Sequence, residues 1–143
     1  GRELVRQRDK TNTNAIGYFH QNIFKYIKNC EVQQEGFDVI YTKNDNTKLY
    51  IEIKNKHNTM NSSSAQKTYM RMLNKIANDN HAECYLAEVI AKNSQDIVWN
   101  VSLDGQKMQN SRIRRISMDK FYEIVTGDKD AFYKICTVLP TLI

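Results

Sequence analysis

Proline is almost absent. The single one, Pro140, leaves no obvious linker in a chain of 143 residues, and no repeat or low-complexity tract interrupts it. With 41% apolar residues the chain can bury the core of one compact domain, so 1–143 reads as a single unit. Cysteine is sparse too: Cys30, Cys84 and Cys136 lie far apart without a C-x-x-C, which fits a reducing cytoplasm with each thiol a small core group. No stretch approaches the ~20 consecutive apolar residues of a membrane span and no signal peptide is visible, so no membrane partner is expected. Acidic residues are in deficit, 16 against 21 Lys and Arg, giving a net charge of +5 and a pI near 9.1. That balance favours a polyanionic partner, although it is also common in proteins that bind none.

What the chain does contain is a pair of apolar strand-like runs carrying two acids and a lysine. Gly36-Phe37-Asp38-Val39-Ile40 is followed, after a short polar turn, by Tyr50-Ile51-Glu52-Ile53-Lys54. Hydrolysing a phosphodiester needs a more basic water, neutralisation of the charge on a pentavalent phosphate, and a leaving oxygen that can depart. Two carboxylates can hold Mg²⁺ while substrate phosphate and water complete its octahedron. The ion polarises the phosphate and acidifies bound water. A nearby ammonium orients that water or stabilises the transition-state charge. Asp, Glu and Lys alternating with aliphatics are also what any half-exposed strand shows, so geometry has to decide.

Alternation puts Tyr50, Glu52 and Lys54 on one face of a strand over 48–55, with Leu49, Ile51 and Ile53 turned to the core. Asn44-Asp45-Asn46-Thr47 is rich in turn formers, so 37–43 and 48–55 read as a hairpin. A four-residue loop pairing Lys43 with Lys48 would set Asp38 opposite Ile53, on the wrong side. A three-residue loop pairing Lys43 with Thr47, or a bulge, brings Asp38 opposite Glu52. The site therefore requires an odd-length loop or a bulge.

The run after Lys54 is almost wholly polar: Asn55, Lys56, His57, Asn58, Thr59, then Met60 and Asn61, Ser62, Ser63 and Ser64. Its amides, hydroxyls, imidazole and ammonium are groups that hydrogen-bond base edges and phosphates. A solvated loop with an N-cap at Ser64 is the plain alternative.

At these residues the chain resembles a known group. Asp38 with Glu52-Ile53-Lys54 matches the D…(D/E)xK signature of the PD-(D/E)XK nuclease superfamily, without the proline that often precedes the Asp, where Phe37 stands. The run Lys54 to Thr59 with Ser64-Ala65-Gln66-Lys67, together with Ile16 to Gln21, resembles the type II restriction endonucleases that cut GGNCC-like sites, over roughly residues 12 to 80. The resemblance implies that Asp38 and Glu52 ligate Mg²⁺ (other divalent ions can substitute), with the Ile53 main-chain carbonyl as a further ligand, and that Lys54 positions or activates the water. It implies that Asn55, Lys56, His57, Asn58, Thr59, Asn61, Ser62, Ser63, Ser64, Gln66 and Lys67 approach double-stranded DNA. His57 has no second His or Cys at ligand spacing, so it is not expected on a metal. His20 and Gln21 divide evenly between touching the site and packing the first helix. Cutting both strands of a near-palindrome calls for two symmetric sites and hence a homodimer. A prokaryotic cytoplasmic enzyme is implied. The chain is short for such an enzyme, which suits a domain cut from a longer one. The alternatives are a structure-selective repair or junction nuclease of the same fold, or a non-catalytic DNA-binding module.

The rest of the chain gives an α/β order. Helical spacing covers 13–29 and 65–78, a continuous apolar run over 82–91 reads as a central strand, and 96–102 reads as its neighbour across a polar turn. Two short helices are expected over 118–125 and 128–139, divided by Gly127, with Asp128 as N-cap and with Phe121, Ile124, Phe132, Ile135 and Val138 packed. Arg112, Arg114 and Arg115, with Lys107 upstream, are candidates to grip phosphates. The expected architecture is a restriction-endonuclease-like core, a mixed sheet opened by an antiparallel hairpin and flanked by helices.

Overall fold

The computed structural model describes residues 18–56 and 60–138, the Lys56 side chain excepted. The central strand of the expected hairpin is its longest: β3 (Lys48–Lys56) pairs antiparallel with β2 (Val39–Thr42), which pairs with β1 (Cys30–Val32). A helix at 18–24 (α1) precedes them. After β3, α2 (Ser62–Asn78) crosses over and β4 (Glu83–Ile90) returns parallel to β3, the connection that a parallel pair requires. The sheet is completed by β5 (Asp96–Val98) and β8 (Ile113–Ser117), in the order β1-β2-β3-β4-β8-β5. β6 (Val101–Leu103) and β7 (Gln106–Met108) form a separate two-stranded hairpin, and α3 (Met118–Thr126) and α4 (Ala131–Cys136) end the described chain. This is the mixed α/β sheet with a leading antiparallel hairpin that the sequence led us to expect.

Both faces of the sheet are covered. On one, Val39, Leu49, Ile51, Tyr85, Ala87 and Ile116 pack against Phe24 of α1 and against Met118, Phe121, Tyr122 and Val125 of α3. On the other, Tyr50, Cys84, Leu86 and Ile113 pack against Tyr69, Met72 and Ile76 of α2, with Trp99 and Val101 closing the side. Each such fully buried large side chain contributes roughly 1.5–3 kcal/mol. The second face corrects one expectation: Tyr50, Glu52 and Lys54 do share a face, but Tyr50 lies in a core of its own beneath α2 rather than toward solvent.

Other expectations also need correcting. The run 96–102 is split: only β5 joins the sheet, pairing antiparallel with β8, while β8 takes the place beside β4 in parallel. The chain leaves the sheet at Trp99 and Asn100 to build the β6–β7 hairpin, whose Asp104 and Gly105 both have positive φ, 51° and 78°. Asp-Gly is the residue pair that a two-residue hairpin turn of this kind favours. Helix α2 starts at Ser62, and its cap is Asn61, whose side chain accepts the Ser64 N–H at 2.8 Å; Ser64 is not the cap. Helix α3 ends as expected at Gly127, in the left-handed region at φ 75°. Asp128 does not cap α4. It lies two residues before the cap position, accepts the Asp130 N–H and pairs with Lys134, and Val138 is 46% exposed rather than packed.

Candidate active site

The turn between β2 and β3 sets the site. Lys43 N–H donates to the Thr47 carbonyl at 2.8 Å and Asn46 N–H to the Lys43 carbonyl at 3.0 Å, so the loop is the three-residue one, with Asn46 at φ 70°. Asn tolerates that left-handed position at its short polar side chain's small steric cost. The register then runs Thr42 to Lys48, Tyr41 to Leu49, Ile40 to Tyr50 and Val39 to Ile51. Continued by one step, it places Asp38 opposite Glu52.

Asp38 Oδ2 accepts the Ile53 N–H at 2.8 Å, and Gln21 of α1 donates a long contact of 3.4 Å to Oδ1. Glu52 Oε2 is met by Arg71 Nη2 at 2.7 Å, from the third turn of α2. Burial pushes the Asp38 carboxyl above its ordinary value, against the pull of the Ile53 N–H and of the Lys54 and Arg71 charges. Burial also raises Glu52, and the Asp38 charge raises it further; Arg71 and Lys54 oppose this without cancelling it. Two part-buried carboxylates that resist ionising beside each other are a pair short of positive charge.

Lys54 opens into a different space from Asp38. It lines a cleft of about 410 Å³ with Ser62 and Gln66 of α2, Glu88, Arg115, and Asn100, Ser102 and Asp104 around the β6–β7 hairpin. Asp38 lines another, of about 560 Å³, with Tyr18, Gln21, Asn22 and Lys25 of α1 and its following turn. Glu52 lines neither of these two clefts. Glu52 and Lys54 thus share one face at the carboxyl end of β3, while Asp38, opposite Glu52 by register, also opens toward α1.

The other candidates separate. His20 is fully buried, its Nδ1 2.9 Å from the Tyr122 hydroxyl and its ring stacked on Phe132 at 6.0 Å; it packs the α1 face, and only Gln21 reaches an acid. Asn55 falls on the opposite parity of β3 from Lys54, and its Oδ1 is buried with no hydrogen-bond partner among the described residues. Ser62, Ser63, Ser64 and Lys67 are exposed on the first turns of α2. The Asn61 side-chain oxygen serves as the cap, and Gln66 Nε2 donates to the Ser102 carbonyl at 3.0 Å, tying α2 to the β6–β7 hairpin. His57, Asn58 and Thr59 lie outside the described residues, as does the Lys56 side chain. The three arginines are each engaged within the fold. Arg112 Nη1 donates to the carbonyls of Asp79, Asn80 and Ala82, Arg114 pairs with Asp96 at 2.7 Å, and Arg115 pairs with Glu88 at 2.6 Å.

The family model of the Eco47II restriction endonuclease matches residues 1–143. The chain belongs to the Eco47II restriction endonuclease family. It is 34% identical over 146 residues to the type II restriction enzyme Sau96I of Staphylococcus aureus, covering 96% of this chain and 56% of that protein. It is 28% identical over 148 residues to the type II restriction enzyme Eco47II of Escherichia coli, covering 96% of this chain and 61% of that one. The chain therefore spans little more than half the length of these relatives. No solved structure matches it significantly.

Two residues beside the candidate site of this Eco47II-family chain escaped the sequence pattern. Glu88 is 1% exposed on β4, at the position paired with Lys54 across the parallel ladder, and its carboxylate accepts from Arg115 at 2.6 and 3.2 Å. An acid inside the otherwise apolar run 82–91 was the signal for it, since a fully buried charge needs a partner. Arg71 is the other, and nothing in the sequence separates it from an ordinary exposed helix charge. Among the described residues no group of three or more His, Cys, Asp or Glu could hold a metal ion. An ion at this site would rest on Asp38, Glu52, the Ile53 carbonyl and ligands from outside the protein. That all-oxygen donor set, on a pair short of positive charge, fits a hard divalent cation such as Mg²⁺.

Proposed function

We propose that this chain carries the catalytic site of a type II restriction endonuclease that hydrolyses phosphodiester bonds of double-stranded DNA at a specific, GGNCC-like sequence, with Mg²⁺ and as a homodimer. The observation that carries the proposal is the hairpin register that puts Asp38 opposite Glu52, with Lys54 on the same face, in a member of this family. Asp38 and Glu52 would hold the ion, which supplies a Lewis acid for the phosphate and a bound water of lowered pKa. Lys54 stands two residues on from Glu52 and lines a polar cleft, where its ammonium can orient the attacking water or meet charge developing on the phosphate. Ser62, at the start of α2, lines the same cleft, and helix N-termini favour phosphate oxygens. Cleavage of both strands of a near-palindrome needs two such sites related by symmetry, which is the reason for the dimer. The site sequence follows from the likeness of the run from Lys54 to Lys67 to enzymes cutting such sites.

The test is digestion of a mapped plasmid with Mg²⁺ or with EDTA, beside the Asp38→Ala variant. Discrete fragments that need Mg²⁺ and vanish in Asp38→Ala are expected. Random nicking would replace the proposal with a structure-selective nuclease, and binding without cutting with a DNA-binding module.

A further inference from the structure

We propose that Arg71 is the resident counter-cation of the Asp38 and Glu52 pair, occupying the Glu52 carboxylate and competing with a divalent ion for it. The inference rests on the metal-site reading above and adds to it a residue that sets how tightly the site takes its ion.

The geometry is specific. Arg71 Nη2 lies 2.7 Å from Glu52 Oε2, and the guanidinium carbon stands 5.1 Å from the centre of the Phe37 ring, one residue from Asp38. A guanidinium over an aromatic face is further held by cation–π attraction. The Arg71 side chain is nevertheless 45% exposed, against 15% for Glu52, so it can swing into solvent without unpacking α2. The carboxylate it contacts is one of two held opposite each other by the β2–β3 ladder, and a single added positive charge is what that pair lacks. Lys54 sits on the same face but opens into the cleft beside the β6–β7 hairpin. A divalent ion drawn to Asp38 and Glu52 therefore meets a charge of its own sign already seated on one ligand, and the two repel or exchange.

A purely structural role and a competing role give opposite signs. If Arg71 only held Glu52 in position, removing it would loosen the carboxylate and weaken metal binding. If Arg71 competes, removing it tightens binding. The experiment is calorimetric titration of Mg²⁺ into the chain in the absence of DNA, for the parent, Arg71→Met and Arg71→Lys. Arg71→Met is expected to bind Mg²⁺ on the order of tenfold more tightly, the scale of losing one opposing charge at a part-exposed site, while Arg71→Lys stays near the parent. Arg71→Gln carries the same expectation as Arg71→Met should the latter not fold. Unchanged or weaker binding in the folded charge-removing variant, with the parent binding Mg²⁺, overturns the role of Arg71 alone. A parent that binds no Mg²⁺ overturns the metal site with it.

Discussion

Asp38 and Glu52 work against the fold that holds them. Both carboxyls are raised above their ordinary values, chiefly by burial, so ionising either carries a cost that the unfolded chain does not bear. The folded state consequently binds more protons than the unfolded one around and just above their ordinary values. Stability from this pair is lost as pH rises through the raised values and recovered on acidification. Asp38→Asn removes one charge while its amide oxygen can still accept the Ile53 N–H. It should raise the melting temperature of the metal-free chain by about 2–4 °C, the equivalent of about 1 kcal/mol in a chain of this size, and abolish any further rise on adding Mg²⁺. Calorimetry with and without Mg²⁺ checks both, and an unchanged or lower metal-free melting temperature would refute the repulsion. The acids were legible because chemistry ties their types together at a fixed spacing. Arg71 was not, because its role exists only once α2 lies across β3.

At the scale of elements, the β2–β3 turn carries the most consequence. Its three-residue loop depends on Asn46 adopting φ 70°, a region that β-branched residues enter only at a cost of roughly 1–2 kcal/mol. Asn46→Val is therefore predicted to lower urea-unfolding stability by about that amount, whereas Asn46→Gly leaves it within a few tenths of a kcal/mol. Because the register sets Asp38 against Glu52, Asn46→Val should also weaken Mg²⁺ binding; a variant equal to the parent in both measurements would show that the ladder, not the turn, fixes the register. This hairpin could be read in advance because alternation and turn residues agree. The β8 strand could not, since Ile113-Arg114-Arg115-Ile116 breaks a two-residue period and reads as a basic segment. Both arginines prove to have acids waiting on neighbouring strands. The β6–β7 hairpin was announced by Asp104-Gly105, and was missed because the apolar run before it looked like one strand rather than two.

At the scale of the whole molecule, the described residues form two cores divided by the six-stranded sheet, and each constrains the site differently. In the α1 and α3 core, burial lowers the His20 pKa from 6.5 to about 4, so the imidazole is neutral when folded and protonates readily only when unfolded. Its contribution is fully present above pH 6.5 and is lost as pH falls from there toward 4. Between pH 7 and pH 5 that amounts to about 2 kcal/mol. His20→Gln keeps a polar partner for Tyr122 without titrating, so its stability should fall less than the parent's over that interval, by about the same amount; parallel pH profiles would contradict a neutral buried imidazole. The core beneath α2 brings Arg71 to the acids, and that has a consequence in time. Asp38 and Glu52 belong to a single local hairpin that can zip in microseconds once its residues are free of the ribosome. Arg71 emerges roughly a second or more later, at the pace of synthesis. During synthesis the two acids can meet before the residue that moderates their repulsion has left the ribosome, so the nascent hairpin persists only as far as its aliphatic ladder outweighs its charges.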